Sequence, residues 1–393
     1  MAPPRTLAIA GAGIGGLTAA LALNRIGYRI ILFEREAHLT ETGAGLQLSP
    51  NASRILIDLG LEHRLSAAAV APDAIGIINA RSGRETVRIP LGEKIRSRHG
   101  APYWLLHRPD LQAALLAQVE ATPGIELRLG WQFDDVADDK TGVTVTQRRS
   151  MSRRQDRVQA LIGADGAWSA VRRQVFPEVR ARFSGRIAWR GMIDATRVPD
   201  GFDRRRVQLR MGSDAHLVAY PMASTGNVNL VAVVNGEWSR PGWSEPGDPG
   251  EIARHFSGWH GGARAMIEAV TDWRKWALFE VPGGAFAKDH IAMLGDASHA
   301  MLPFAAQGAA MAIEDAAVLA RCIEAQPDDL SAAFRNYESL RRGRIARVQR
   351  TSRRNGQIYH LKGASRIARD RTMQLLGGAR LLARQDWLYG WRS

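Results

Sequence analysis

Short apolar runs alternate with stretches whose apolar positions recur every three or four residues, and that alternation sets the architecture. Thr6 to Ala10 reads as a buried strand, Leu17 to Ile26 as a helix stopped by Gly27, and Arg29 to Phe33 as a second strand. A strand–helix–strand unit of about 30 residues requires a right-handed crossover and a parallel sheet. Further helices are expected from a cap at Pro50-Asn51 to Leu59 and from Asp110 to Ala121. Further strands are expected at Ile125 to Leu129, Gly142 to Thr146 and Leu161 to Gly163. Between about Phe183 and Val281 the pattern alternates with period two, in Val207 to Met211, His216 to Tyr220 and Asn229 to Val234. Turn residues separate these runs at Gly212-Ser213, Ser224 to Asn227 and Pro241 to Gly250, which is the pattern of an antiparallel sheet. A buried-strand pattern returns at Ile291 to Leu294, and from Ile313 onward the chain is mostly helical.

Composition narrows the class. With 393 residues, 45% of them hydrophobic, and 39 Gly, the chain can bury a sizeable core in two or three folding units. The single cysteine, Cys322, excludes an internal disulfide framework and a cysteine-rich metal site, and no metal is expected. It also fits a reducing compartment. No signal-peptide order appears at the N-terminus and no run of about 18 apolar residues occurs, so a cytoplasmic protein without membrane contact is expected. The net charge of +14 is concentrated: Ser331 to Ser393 carries 15 Lys+Arg against 3 Asp+Glu. Such a tail either binds an anionic partner or forms a solvated helix face. Phe334, Tyr337 and Leu340 recur at helical spacing among its arginines, and no nucleic-acid motif accompanies it, so the tail is read as structural.

Three segments carry the chemistry. In Gly11-Ala12-Gly13-Ile14-Gly15-Gly16, Gly11 permits the tight turn, Gly13 admits a pyrophosphate, and Gly16 lets helix and strand pack closely. The helix N-terminus then presents unpaired N–H groups to phosphate. Glu34 ends the second strand, where a carboxylate can bind a ribose hydroxyl. This motif alone does not separate NAD from FAD. The second segment is Leu161-Ile162-Gly163-Ala164-Asp165-Gly166 with Ser169, Val171 and Arg172. The third is Met293-Leu294-Gly295-Asp296-Ala297-Ser298-His299, followed by Pro303, Gln307, Gly308 and Glu314-Asp315.

Together the three motifs, at these spacings, resemble the flavoprotein aromatic hydroxylases, the FAD-dependent single-component monooxygenases of salicylate, 3-hydroxybenzoate and 6-hydroxynicotinate. The resemblance runs to about Tyr337. It implies an α/β fold: a Rossmann-like FAD-binding domain at 1–75, 100–182 and 283–330, interleaved with a mostly antiparallel β-sheet substrate domain at 76–99 and 183–282, and a helical C-terminal extension at 331–393. It implies that Glu34 binds the adenosine ribose, Arg108 contacts FAD, Asp165 lies near the dinucleotide, and Asp296 bonds the ribityl chain. Pro303 and the backbone of Gly308, Ala309 and Ala310 would border the isoalloxazine ring, with Arg35 and Phe133 completing the cofactor set. Family members often carry Gly-Gln-Gly-Ala/Gly-Asn after the proline; here Ala306 replaces the first glycine and Ala310 the asparagine.

The resemblance further implies that NADH or NADPH reduces the FAD, that O2 gives a flavin C4a-hydroperoxide, and that a small aromatic substrate is hydroxylated by a monomer or homodimer. On the alternating run, His216 and Tyr220 share one face with Val218 between them. Related hydroxylases carry a similar pair facing the flavin, so His216 is the candidate base for a phenol proton, with Tyr220 orienting. Gln47 and Arg190 are further candidates, Arg190 as a carboxylate clamp. His299 is read as structural. An FAD oxidase, dehydrogenase or reductase without ring hydroxylation shares the nucleotide motifs and stays open as the alternative, and a non-enzymatic flavin-binding regulator is less favoured. Trp273-Arg274-Lys275-Trp276 does not match the Trp-x-Trp-x-Ile-Pro pattern of flavin halogenases.

Overall fold

The computed structural model describes residues 5–39, 45–139, 141–239 and 242–392. Gly43 and Ala44, just before Gln47, and Pro241 fall outside these residues. The first unit forms as its pattern requires. Leu7, Ala8 and Ile9 are fully buried, and the strand Thr6–Ala10 pairs in parallel with Arg29–Glu34 on one side and Ala160–Gly163 on the other. The intervening helix, Ile14–Arg25, starts three residues earlier than its apolar period suggests, directly out of the glycine turn. Its face from Leu17 to Leu23 is buried against the later helix Gly308–Ala325.

Six strands make this sheet, in the order Ala287–Lys288, Ile291–Met293, Ala160–Gly163, Thr6–Ala10, Arg29–Glu34, Ile125–Leu129. All neighbours are parallel except the first pair. A three-stranded antiparallel meander, Gln132–Asp139, Gly142–Arg149 and Ser152–Val158, covers one face; Val136, Val143, Val145 and Val158 pack on Ala8, Ala10 and Phe33.

The period-two region forms an eight-stranded sheet. Its order is Ser244–Gly247, Trp273–Glu280, Arg182–Ile193, Val228–Asn235, Ala215–Pro221, Arg206–Met211, Ala74–Asn79, Glu85–Pro90. Only Arg206–Met211 with Ala74–Asn79 is parallel. One face, including Leu217, Ala219, Leu230 and Trp189, is buried under the helices Pro249–His255 and Gly261–Ala269. The other face points back to the nucleotide-type sheet and carries His216, Val218, Leu209 and Ile77. A short pair, Gly45–Leu48 with Trp104–His107, forms a separate two-stranded sheet, and its Gly45 N donates to Asn229 Oδ1 of the eight-stranded sheet at 2.8 Å.

After Gly308–Ala325 the chain continues in the helices Leu330–Tyr359 and Gly363–Ala383, the latter kinked at Gly377, and ends in Asp386–Tyr389. These helices fold back across the open face of the eight-stranded sheet; Gly378 lies so close to the strand Glu85–Pro90 that a Cβ there would meet Arg88 O at 1.8 Å. Among the described residues no helix is long and apolar enough to cross a membrane.

Candidate active site

The glycine turn is shaped for a ligand's approach. Gly11 has φ of 102°, and a Cβ on it would strike Ala164 O at 2.5 Å, so the turn passes over the end of the neighbouring strand with no room for a side chain. A Cβ on Gly16 would lie 1.8 Å from Gly11 O, which is the close helix–strand packing expected of it. Gly13, by contrast, has nothing within 4 Å of its Cβ position, and the helix it caps has no side-chain cap. The first N–H groups of that helix therefore face open space, the electrostatic setting for a pyrophosphate. Glu34 ends its strand with Oε2 accepting from Ala12 N at 2.9 Å and Oε1 accepting from Glu36 N at 3.1 Å. Arg35 beside it is exposed and pairs with Glu36.

Asp165 lies under the same turn. Its Oδ2 accepts from Ala170 N at 2.7 Å and Val171 N at 3.2 Å, so it caps the helix Ala170–Val175, while Oδ1 is buried without a partner among the described residues. Burial raises its pKa against the lowering effect of Ser169 and the backbone N–H groups. Arg172, on that helix, donates to Ala297 O at 2.5 Å and thereby locks the second motif to the third. Asp296 is the one exposed residue between Ile291 and Ala300, and its carboxylate makes no hydrogen bond to the described residues. A solitary exposed carboxylate on a buried turn suits a ligand hydroxyl better than a helix cap. Arg108 opens the helix Arg108–Glu120, and Phe133 packs beside Phe33 at the edge of the meander.

The third motif leads into a second region. Pro303–Ala305 is a single turn ended by Ala306 at φ 52°, ψ 40°, and Gly308, Ala309 and Ala310 form the first turn of the next helix. Beneath them Gln307 donates to Ser49 Oγ at 2.9 Å and accepts from Asn51 Nδ2 at 3.1 Å. Asn51 also donates to Glu314 Oε1 at 2.7 Å. Glu314 and Asp315 are fully buried and hold Arg341, at 2.8 and 2.7 Å; Arg344 binds Glu314, and His299 Nε2 lies 2.6 Å from Asp315 Oδ2. Despite burial, the neighbouring His299 and Arg341 hold the Asp315 carboxyl down to about 2. His299 is thus structural, as expected.

Between this turn, the open face of the eight-stranded sheet and the C-terminal helices lies a cavity of about 550 Å³. Its sheet wall includes Ile75, Val207, Leu209, His216 and Val218; Pro303 to Ala306 form a second wall; Met373, Leu381, Trp387 and Tyr389 roof it. Gln47 reaches the cavity with its amide oxygen held by Tyr103 OH at 2.6 Å. His216 is buried on that wall between the rings of Phe304 and Tyr359. Its Nδ1 lies 2.8 Å from His360 Nε2, and Arg186 Nη1 lies 3.0 Å from His360 Nδ1.

Three expectations change here. His216 does not have ordinary basicity: burial first, then His360 and Arg186, hold its pKa well below 6.5. Tyr220 shares its face but does not line the cavity; its ring sits against Gly45, its hydroxyl interacts with Asn229, and burial raises its pKa. Arg190 also lies away from the cavity, stacked 5.1 Å over the Trp276 ring. What the sequence reading missed entirely is the roof and His360, both from the basic tail.

Residues 5–352 match the family model described as an FAD binding domain. The chain is 36% identical over 390 residues to a 3-amino-4-hydroxybenzoate 2-monooxygenase of Streptomyces platensis, covering 98% of this chain and 96% of that protein. It is 33% identical over 386 residues to a 3-hydroxybenzoate 6-hydroxylase of Klebsiella oxytoca, with 98% and 96% covered. The fold is also that of Klebsiella pneumoniae HpxO crystallised with FAD and uric acid, with a TM-score of 0.84, 24% identity, and 96% and 95% of the two chains covered.

Proposed function

The chain belongs to the FAD-dependent aromatic hydroxylase family, and from that premise we propose that it uses NADH or NADPH and O2 to hydroxylate a small phenolic acid or related aromatic. The observation that carries this reading is the junction of two sites. The turn Pro303 to Ala306 is a wall of the cavity and leads straight into the free N-terminal turn at Gly308. A flavin ring bordered by Pro303, Gly308, Ala309 and Ala310 would therefore meet a substrate lying against Val218 and Leu209.

The residues present fit FAD. Gly13 leaves open space before the uncapped helix N-terminus for its pyrophosphate, while Gly11, Gly15 and Gly16 make the close packing that shapes the turn. Glu34 would take the adenosine ribose and Asp296 the ribityl hydroxyls, with Arg35, Arg108, Phe133 and Asp165 around them. When bound, FAD supplies the redox chemistry, accepting a hydride and activating oxygen. The chain's own part is to bind, orient and exclude water. Apolar and aromatic side chains make most of the cavity, so a substrate ring is desolvated there, and His216 and Gln47 offer polar contacts to its substituents. Among the described residues Arg347, Arg354 and Arg384 line the cavity and no carboxylate does, which favours an anionic substrate. The benzoates named for both relatives support the same class. In this reading 1–75, 100–182 and 283–330 serve the cofactor, and 76–99 and 183–282 the substrate.

The test is a panel of hydroxybenzoates, aminobenzoates and N-heteroaromatics with either nicotinamide, scored by flavin reduction and product mass. A product one oxygen heavier is expected from at least one acid; consumption that yields only hydrogen peroxide throughout overturns the proposal. In the same protein, Asp296→Ala should weaken FAD binding by about 0.5–1.5 kcal/mol, the worth of one hydrogen bond. Fluorescence titration measures this, and the melting temperature of the apoprotein should not move.

A further inference from the structure

We infer that His216 meets the substrate as a hydrogen-bond donor, with its proton on Nε2, and that His360 and Arg186 are positioning residues that impose this polarity. The inference rests on the functional reading above, because it needs a phenolic oxygen in the cavity.

Donors and acceptors fix the polarity. A guanidinium has only donors. Arg186 Nη1, 3.0 Å from His360 Nδ1, therefore requires that nitrogen to be bare. A neutral imidazole carries one proton, so the proton of His360 sits on Nε2. That N–H is 2.8 Å from His216 Nδ1 and donates to it. His216 Nδ1 is then bare in turn, and its one proton is on Nε2. The opposite arrangement would set a His360 Nδ1–H against the Arg186 N–H groups, donor against donor, in a half-buried place. Both rings are neutral near pH 7: burial and neighbouring cations hold His216 well below 6.5, and bring His360 down to about 4. The charged groups that face the pair are Arg186, Asp214 and Arg369, with Lys362 bound to Asp214.

A ring whose Nε2 already bears a proton cannot take one from a phenol. It can hold a phenolate. The phenol O–H breaks before or during entry, its electron pair stays on oxygen, and the proton leaves to solvent water. The enzyme then selects the electron-rich form of the substrate from solution and keeps it ionised. This replaces the general-base role expected from the sequence, and it gives a purpose to the histidine that follows the last turn of the basic helix. Charge-assisted donation of this kind corresponds to about a tenfold to hundredfold preference for phenolate, or one to two pKa units.

Two near-isosteric variants separate the polarity from the packing. His360→Gln keeps the direction, since the amide oxygen accepts from Arg186 and the amide N–H donates to His216. His360→Glu reverses it, since a carboxylate only accepts and draws the His216 proton to Nδ1. Nitrogen-15 NMR of labelled histidines in the FAD-loaded protein reads the tautomer, and difference absorbance of a bound nitrophenol reads its pKa. Expected are an Nε2–H tautomer and a lowered nitrophenol pKa in the parent and in His360→Gln, both lost in His360→Glu. An Nδ1–H tautomer in the parent overturns the inference whatever the enzyme does, and so does a His360→Glu protein with the parental bound pKa. A parent with the Nε2–H tautomer that binds no phenol at all overturns the functional reading, and this inference with it.

Discussion

Ala306 sits in the left-handed region, at φ 52° and ψ 40°, on the cavity wall. The family pattern has a glycine there, and the conformation explains why. A side chain in this region costs about 1–2 kcal/mol relative to a right-handed conformation. A glycine adds about 0.4–1 kcal/mol of unfolded-chain freedom in return. Ala306→Gly should therefore raise stability by up to about 1.6 kcal/mol, visible as a higher urea midpoint at unchanged slope; a lower midpoint would show that the turn relaxes around the methyl group. The His216–His360 pair makes a second prediction at this scale. Both folded pKa values lie below the free-histidine value of about 6.5, so on acidification the unfolded chain binds protons that the folded chain refuses. Stability is then complete above pH 6.5 and falls as pH drops towards about 4, by up to about 1.4 kcal/mol per pH unit for each ring. Melting temperatures across that window should fall, and His216→Phe should flatten the fall; an equal slope in the variant would assign the loss to other groups.

At the scale of elements, the acidic pair that opens the helix Gly308–Ala325 to its partners is the joint of the molecule. Glu314 and Asp315 receive Arg341 and Arg344 from the helix Leu330–Tyr359, and those two arginines also stack on Trp391, at 5.4 and 4.7 Å. Arg347 lies 3.8 Å over Trp387. Part of the basic tail is therefore spent inside the fold, on carboxylates and indoles. Arg341→Met leaves two carboxylates buried with one cation removed, and should lower stability by about 3–5 kcal/mol. Denaturant unfolding measures it, and a loss under about 1 kcal/mol would mean that water enters the joint. The nucleotide elements were legible because their rule is local: Gly11 must turn and Gly13 must be bare, and both facts are written in adjacent letters. Ser152–Val158 was not legible because its polar SRRQDRV has no apolar alternation; only pairing with Gly142–Arg149 makes it a strand. The helix Pro249–His255 hid behind turn residues of which Asp248 proves to be its cap, and Gly261–Ala269, capped by His260, was not read at all. The roof was hidden for another reason. The helix Gly363–Ala383 has few buried residues, and its apolar side chains look outward until the sheet face is known to lie beneath them.

For the whole molecule, the arrangement separates two binding events in space. In the proposed reading the cofactor is held by residues up to the first turn of Gly308–Ala325, whereas Leu381, Gln385, Trp387 and Tyr389 close the cavity from beyond the kink at Gly377. FAD uptake should slow amide hydrogen exchange around residues 11–16, and a bound benzoate should slow it in 381–389; protection of both segments by FAD alone would mean the cavity closes without substrate. The roof has a consequence for descent as well. Substitutions at Met373, Leu381 or Trp387 alter the shape offered to a substrate, yet none of these residues touches the glycine turn, Glu34 or Asp296. Selection can therefore retune what the enzyme accepts through a few codons in the stretch 373–387, while the machinery for handling electrons is inherited intact.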